Sequence, residues 1–331
     1  MWLNYSSQNR LKVKMRETLD CKVLREYILP EDIVSCNETS DAVFVTVVRS
    51  VEAEKEVRLL AKSIRSFAGS MSGCPVWVFS HAPERLESIN LEALDVEVIP
   101  LRIPESISGY LFADTVSACD LAECRAKGKL RSMIWIDTSC LVVRPPLLFE
   151  LGQDADAAVR PVHIRNVGSH ASEPPDGYWQ GIFDAVGVKD VSSTVESFVG
   201  GELIRSYFNT HAFAVNPAMG LMTRWFELFK SLVTDKEFQA GHCSGELHKV
   251  FLFQALLSTL LATEIEPARL RILPPDYNYP YNLHEKVPDD RKAKTLEELT
   301  TFTYEGRAIT PEEVKDIDIG EQLKNWLAER I

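Results

Sequence analysis

The chain has 331 residues, 45% apolar and 25% charged, enough for one large α/β domain or two smaller ones. A formal charge of −12, from 36 basic and 48 acidic residues without a basic stripe, argues against nucleic-acid binding. No stretch reaches the ~18 apolar residues of a membrane span and residues 1–10 lack the apolar core of a secretory signal, so the cytoplasm is the expected compartment.

Seven cysteines, at positions 21, 36, 74, 119, 124, 140 and 243, form no C-x-x-C pair, which indicates neither a zinc site nor a disulfide framework. Residues 1–40 carry Leu11, Val13, Met15, Leu19, Val23, Leu24 and Tyr27 in a mixed pattern, read as a flanking helical segment. The β-branched run Ala42–Val48 predicts a buried parallel strand. Val57, Leu60, Ala61, Ile64 and Phe67 follow at helical spacing, closed by Gly69. Strands are predicted at 75–79 and 96–101, a helix at 111–127 ending at Gly128, and strands at 133–137 and 141–143. Strands alternating with helices in this way imply a mainly parallel sheet.

Ala157–Val162 reads as a strand, and 163–200 as a long irregular stretch with a short helix near 182–186. A strand is expected at 208–215. Asn216-Pro217 then opens a helix over 217–233, and a second helix spans 245–262 with Leu247, Val250, Phe251, Gln254, Leu257 and Leu261 on one face. Residues 271–273 form a short strand before a Pro/Tyr/Asn-rich loop, and the charged tail from 285 is partly helical over 310–330.

Chemistry is expected at Trp135-Ile136-Asp137-Thr138-Ser139-Cys140, where an apolar strand ends in an aspartate. Ligands of open α/β sheets bind beyond the carboxyl ends of the strands, which places Asp137 in the crevice; the alternative is that it caps a turn. Arg49, Arg131 and Arg144 lie near predicted strand ends or turns and are candidates for neutralising a diphosphate. His242 and His248 are six residues apart and share no helix face, which dismisses a metal site there.

This segment resembles the Asp-x-Asp region of the GT-A nucleotide-diphosphosugar glycosyltransferases, in a family 8-like form. Further stretches are similar to that family in the same order. They are Thr46 to Arg65, Tyr207-Phe208-Asn209-Thr210-His211, Phe253-Gln254-Ala255-Leu256-Leu257 and Leu273-Pro274-Pro275-Asp276-Tyr277-Asn278. The resemblance implies a GT-A-like α/β fold over 41–284, with 1–40 as a flank and 285–331 as an extension packing on it. It implies a nucleotide-diphosphosugar donor, an acceptor the sequence leaves open, and Mn²⁺ or Mg²⁺ held by carboxylates against the diphosphate. Thr46, Arg49, Arg65, Asp137 and Ser139 would lie at the donor, with Asp137 central to catalysis. Asn209, His211, Gln254, Tyr277 and Asn278 would lie near the sugar, and Trp179 would either offer an aromatic face to the acceptor or pack its loop against the domain.

Three departures stand out. Ser139 replaces the motif's second aspartate, His211 replaces a glycine, and Thr303-Tyr304-Glu305-Gly306 falls where the family has His-x-x-Gly. With Ser139 and Thr303 in two of three ligand positions, affinity for a divalent cation is expected to fall. His284 is a candidate substitute, although a surface-loop role is the expectation. If the reaction inverts, Asp184, Glu202, Glu246 and Asp276 are candidate bases. The alternative is a catalytically degenerate member that binds a nucleotide or a protein. A Rossmann dehydrogenase ranks low because no G-x-G-x-x-G follows the first strand.

Overall fold

A computed structural model describes residues 41–50, 53–83, 86, 91–307, 309–310, 314 and 316–330. The flanking helix read over residues 1–40 lies outside the described residues. The chain runs β1 (Ala42–Val48), α1 (Glu54–Phe67), β2 (Val76–Ser80), β3 (Val96–Pro100), α2 (Ala113–Ala126), β4 (Ser132–Ile136), β5 (Cys140–Val142), β6 (Ala157–Val159) and α3 (Gly177–Val186). It continues through β7 (Thr194–Glu196), β8 (Leu203–Arg205), β9 (Ala212–Val215), α4 (Leu221–Thr234), α5 (Lys236–Gly241) and α6 (Glu246–Glu264). Strands β10 (Leu270–Ile272), β11 (Tyr279–Pro280) and β12 (Thr301–Thr303) precede α7 (Glu321–Arg330).

Seven strands form the main sheet in the order β10-β6-β9-β4-β1-β2-β3. All neighbours are parallel except β9, which runs antiparallel between β4 and β6. Every residue of β1 is buried, which is why its sequence is continuously apolar rather than alternating. Val43, Val45 and Val47 face one layer with Val116 of α2, Trp225 of α4 and Leu256 of α6. Phe44 and Val48 face the other, with Val57, Leu60 and Ile64 of α1. Full burial of each such side chain contributes about 1.5–3 kcal/mol. Gly69 follows α1 at φ 61°, and a Cβ there would come 2.8 Å from Pro145 Cγ, so glycine is required twice over.

Several expected boundaries move for physical reasons. The helix expected from Pro217 begins at Leu221, after a 3₁₀ turn and Gly220 at φ 70°. Its first turn is capped by Glu123 of α2, whose carboxylate accepts from Met222 N at 3.0 Å and Thr223 N at 2.9 Å. Helix α6 is not one-faced: every residue from Leu252 to Leu261 is buried, while Leu247 is exposed. The 163–200 stretch is ordered around α3, whose start is capped by Asp176 accepting from Trp179 N.

The tail carries an unanticipated strand. β12 lies between β11 and β5 in a second sheet, antiparallel to β5 with Thr303 opposite Cys140. Helix α7 packs Trp326 edge-on against Phe67, with indole N–H donated to Ser66 Oγ at 2.9 Å. No helix among the described residues is long and apolar enough to cross a membrane.

Candidate functional site

Strand β4 ends one residue before Asp137, and the chain turns immediately, with Cys140 N donating to Asp137 O at 3.0 Å. The Asp137 carboxylate stands at the carboxyl edge of the parallel strands. Its Oδ1 accepts from Ser139 N at 3.0 Å and from Ser139 Oγ at 2.7 Å. Its Oδ2 accepts from Arg49 Nη1 at 3.1 Å. Burial pushes this carboxyl up, but the Arg49 and His211 charges and the Ser139 bonds outweigh it and hold it below the usual carboxylate range.

Arg49 is the first residue beyond β1, on the side of the sheet that faces α2. Its Nε lies 2.7 Å from Asp114 Oδ2 in the first turn of α2, and its Nη2 donates to Thr115 Oγ1 at 2.7 Å. The Phe112 ring lies 5.7 Å from the guanidinium carbon, and Phe112 itself takes the left-handed backbone at φ 62° where α2 begins. Burial would lower the Arg49 pKa, yet Asp137 and Asp114 together raise it.

The strand that enters β9 supplies the other wall. His211 O accepts from Asp137 N at 2.7 Å, so backbone pairing locks His211 beside the aspartate. Both of its ring nitrogens face oxygen acceptors, Nδ1 at 2.9 Å from Asn209 Oδ1 and Nε2 at 3.2 Å from Glu305 Oε2. The Asn209 amide is oriented by His211 N, which donates to the same Oδ1 at 2.7 Å. Two acceptors suit an imidazolium, which donates from both nitrogens. Burial pushes the His211 pKa down, but Glu305 and Asp137 outweigh it and the net shift is upward.

His163 stacks parallel to His211 with centroids 6.1 Å apart, in the opposite state. Burial, with the His211 charge adding to it, drives its pKa down to about 3. It is therefore neutral, and its Nε2–H donates to Asn278 O at 2.8 Å. Asn278 adopts φ 50° and donates from Nδ2 to Asn209 Oδ1 at 2.6 Å, while its own buried Oδ1 has no hydrogen-bond partner among the described residues. Gln254 of α6 accepts from Thr210 Oγ1 at 3.0 Å. Thr303 of β12 brings its Oγ1 to 3.5 Å from Ser139 Oγ.

The fold therefore gathers Arg49, Asp137, Ser139, Asn209, His211, Gln254, Asn278 and Thr303. Other expected site residues lie elsewhere. Arg65 sits at the carboxyl end of α1, which runs back to the opposite edge of the sheet, and donates to Leu94 O, Ser72 O, Cys74 O and Asp95 O. Tyr277 points into the α1 layer, where its hydroxyl accepts from Leu148 N at 2.9 Å. Thr46 is buried on that same side of β1 with no partner for its hydroxyl among the described residues. Trp179 is 1% exposed and donates its indole N–H to Val167 O, so its face packs the core and is not open to an acceptor.

Further expectations are corrected by contacts. Arg131 precedes β4, at the end of that strand away from Asp137, and ties Gly152 O, Ala155 O and Asp156, while the exposed Arg144 donates to Glu298 O; the contacts described for them do not place either in the Asp137 cluster. His284 is buried and bonded to Tyr279 Oη at 2.8 Å through Nδ1, not a surface-loop residue and not part of the Asp137 cluster. Among the four candidate bases, Asp184 meets Gln180, Glu202 pairs with Arg165, Asp276 accepts from Thr300, and Glu246 is exposed at the start of α6. The acids beside Asp137 are instead Asp114 and Glu305, together with His163 the residues sequence reasoning missed. Only helical phase on α2 could have pointed to Asp114; Glu305 needed the β12 pairing.

The family resemblance implies a divalent cation, and the donor set does not fit one. Asp137 is committed to Arg49 and Ser139, and the two other ligand positions hold the neutral hydroxyls of Ser139 and Thr303. Among the described residues no group of three or more His, Cys, Asp or Glu side chains is placed to hold a metal ion.

No protein-family profile matches this sequence, and no curated protein matches it. Among solved structures the chain is similar to LgtC. An active-site mutant of LgtC matches with a TM-score of 0.50 and 15% identity, over 87% of this chain and 95% of that one. The galactosyltransferase LgtC in complex with donor and acceptor sugar analogs matches with a TM-score of 0.51 and 14% identity, over 87% and 96%. At this identity the likeness shows the fold: a GT-A-like α/β architecture with a mainly parallel central sheet flanked by helices.

Proposed function

We propose that this chain binds a nucleotide-diphosphosugar in the crevice beyond the carboxyl ends of β1 and β4 and transfers its sugar to an acceptor. The observation that carries this reading is the convergence of Arg49, Asp137, Asn209, Asn278 and Gln254, from five separate segments, at the edge where α/β sheets take ligands. Arg49 would meet the diphosphate, and the amides of Asn209, Asn278 and Gln254 would exchange bonds with sugar hydroxyls. In the transfer the anomeric C–O bond to the diphosphate breaks and the acceptor oxygen bonds to that carbon, its proton passing to a carboxylate if the reaction inverts and to the departing diphosphate if it does not. The transition state is expected to have oxocarbenium character.

A second reading is a scaffold that binds a nucleotide or a protein without turnover. The Arg49–Asp137 pair favours it, because the aspartate is already neutralised. Thermal unfolding with nucleoside diphosphates and nucleotide sugars, in buffer containing Mn²⁺, separates the two. A ligand at about a hundred times its Kd adds roughly 2.7 kcal/mol, a shift of several degrees. The transferase reading expects a shift with one nucleotide family, its loss in Asp137→Ala, and release of free nucleoside diphosphate when acceptor sugars are added. Binding without any release supports the scaffold, and no shift with any nucleotide removes the donor reading.

A further inference from the structure

We infer that the donor site supplies its own cation: the Arg49 guanidinium stands in for a divalent metal, and the diphosphate binds without one. This rests on the donor reading above and goes beyond it, since it assigns the counter-charge.

Three observations carry it. First, the one carboxylate of the metal motif, Asp137, has Oδ2 on Arg49 and Oδ1 on Ser139, so a metal ion would have to share that carboxylate with the guanidinium charge beside it. Second, Arg49 is held from three sides, by Asp114, Asp137 and Thr115, through Nε, Nη1 and Nη2. A guanidinium carries five N–H groups, so one on each Nη remains for an anion. The side chain is also 35% exposed. Third, the arrangement is built rather than incidental. Phe112 takes a left-handed backbone at the start of α2 and lays its ring near the guanidinium, stacked in turn on Phe253 at 4.2 Å. His211, with acceptors at both ring nitrogens, stands beside Asp137 with Glu305 as its counter-charge. A planar guanidinium fixed in this way suits bidentate contact with phosphate oxygens.

The test is a titration of the full chain with UDP, GDP, ADP, CDP and dTDP, in parallel buffers containing EDTA or Mn²⁺. The expected result is one nucleoside diphosphate whose Kd differs by less than about threefold between the two buffers, a difference worth under one kcal/mol. Arg49→Ala should weaken that Kd about tenfold or more in EDTA, with Arg49→Lys recovering part of the loss because it keeps the charge but not the fork. Arg49→Ala leaves two carboxylates unpaired, so melting without ligand shows whether it is folded; Arg49→Lys carries the comparison if it is not. Binding confined to the Mn²⁺ buffer, or an unchanged Kd in Arg49→Lys and Arg49→Ala alike, overturns the inference while the donor reading stands. Absence of binding in both buffers overturns the donor reading and this inference with it.

Discussion

Glu305 Oε2 lies 3.2 Å from His211 Nε2, joining the loop after β12 to the residue that enters β9, 94 positions earlier. Glu305 carries the tail of the chain into the Asp137 cluster, and it gives His211 an upward pKa shift that overcomes its burial. A raised histidine pKa stabilises the fold below the ordinary value near 6.5 and loses that contribution as pH rises through the folded pKa. Because Glu305 is well exposed, the pair contributes only about 0.2–1 kcal/mol. In Glu305→Gln the His211 titration, followed by NMR of the ring protons, should move to lower pH, and the loss of stability as pH rises above the ordinary histidine value should flatten. A His211 pKa unchanged in that variant would mean that the contact is not formed in solution.

Asp120 of α2 gives a pH dependence of the same direction, but its replacement is expected to stabilise rather than destabilise. Burial pushes its carboxyl up to about 7, against a bond from Thr223 Oγ1 at 2.7 Å and with Glu123 and Glu227 adding to the rise. The unfolded chain releases this proton near pH 4 while the native state keeps it. Stability therefore falls as pH rises from about 4 to 7, and the full penalty stands above that. Asp120→Asn keeps the acceptor for Thr223 and removes the penalty. Its gain in stability should be small at pH 4.5 and reach about 1–2 kcal/mol at pH 8 by urea unfolding. A difference that does not vary with pH would show that Asp120 is ionised throughout.

How much of this was legible varies by element, for a physical reason. Strand β1 and helix α1 announce themselves because burial on both faces and on one stripe writes two different periods into the sequence. Asp137 was legible because a lone acid ends an apolar run. Tyr277 was misplaced, and Trp179 stayed open between an acceptor face and a packing role, because an aromatic in a Gly- and Pro-rich stretch reads the same whether it points inward or outward. The roles of Asp114 and Glu305 depend on which strands pair and on the start of α2 at a left-handed Phe112, neither of which a local pattern encodes. Even the expected start of α4 failed for this reason, since its cap comes from Glu123 on another helix.

Thr46 separates a packing role from a binding role. Its buried hydroxyl lacks a partner among the described residues, and leaving such a group unsatisfied costs about 1–3 kcal/mol. Thr46→Val preserves the branched shape within β1, so the ligand-free protein should melt higher by an amount worth about 1 kcal/mol. If the hydroxyl meets the donor, the same variant should also bind the nucleotide about fivefold more weakly. A raised melting point with unchanged affinity would remove Thr46 from the donor site.

Arg65 gives the converse case, a residue expected at the donor that the fold uses as a brace. Its guanidinium donates to four backbone carbonyls, two in the turn before β2 and two in the turn before β3. Those carbonyls belong to chain ends at the edge of the sheet away from Asp137. Charged hydrogen bonds contribute about 1.5–3 kcal/mol singly and add less than linearly when one group makes several, so Arg65→Met should cost about 2–4 kcal/mol in urea unfolding. The nucleotide Kd, measured well below the melting point, should stay within about twofold of the parent. A Kd weakened tenfold in a fully folded Arg65→Met protein would return this arginine to the donor site and move the crevice to the other edge of the sheet.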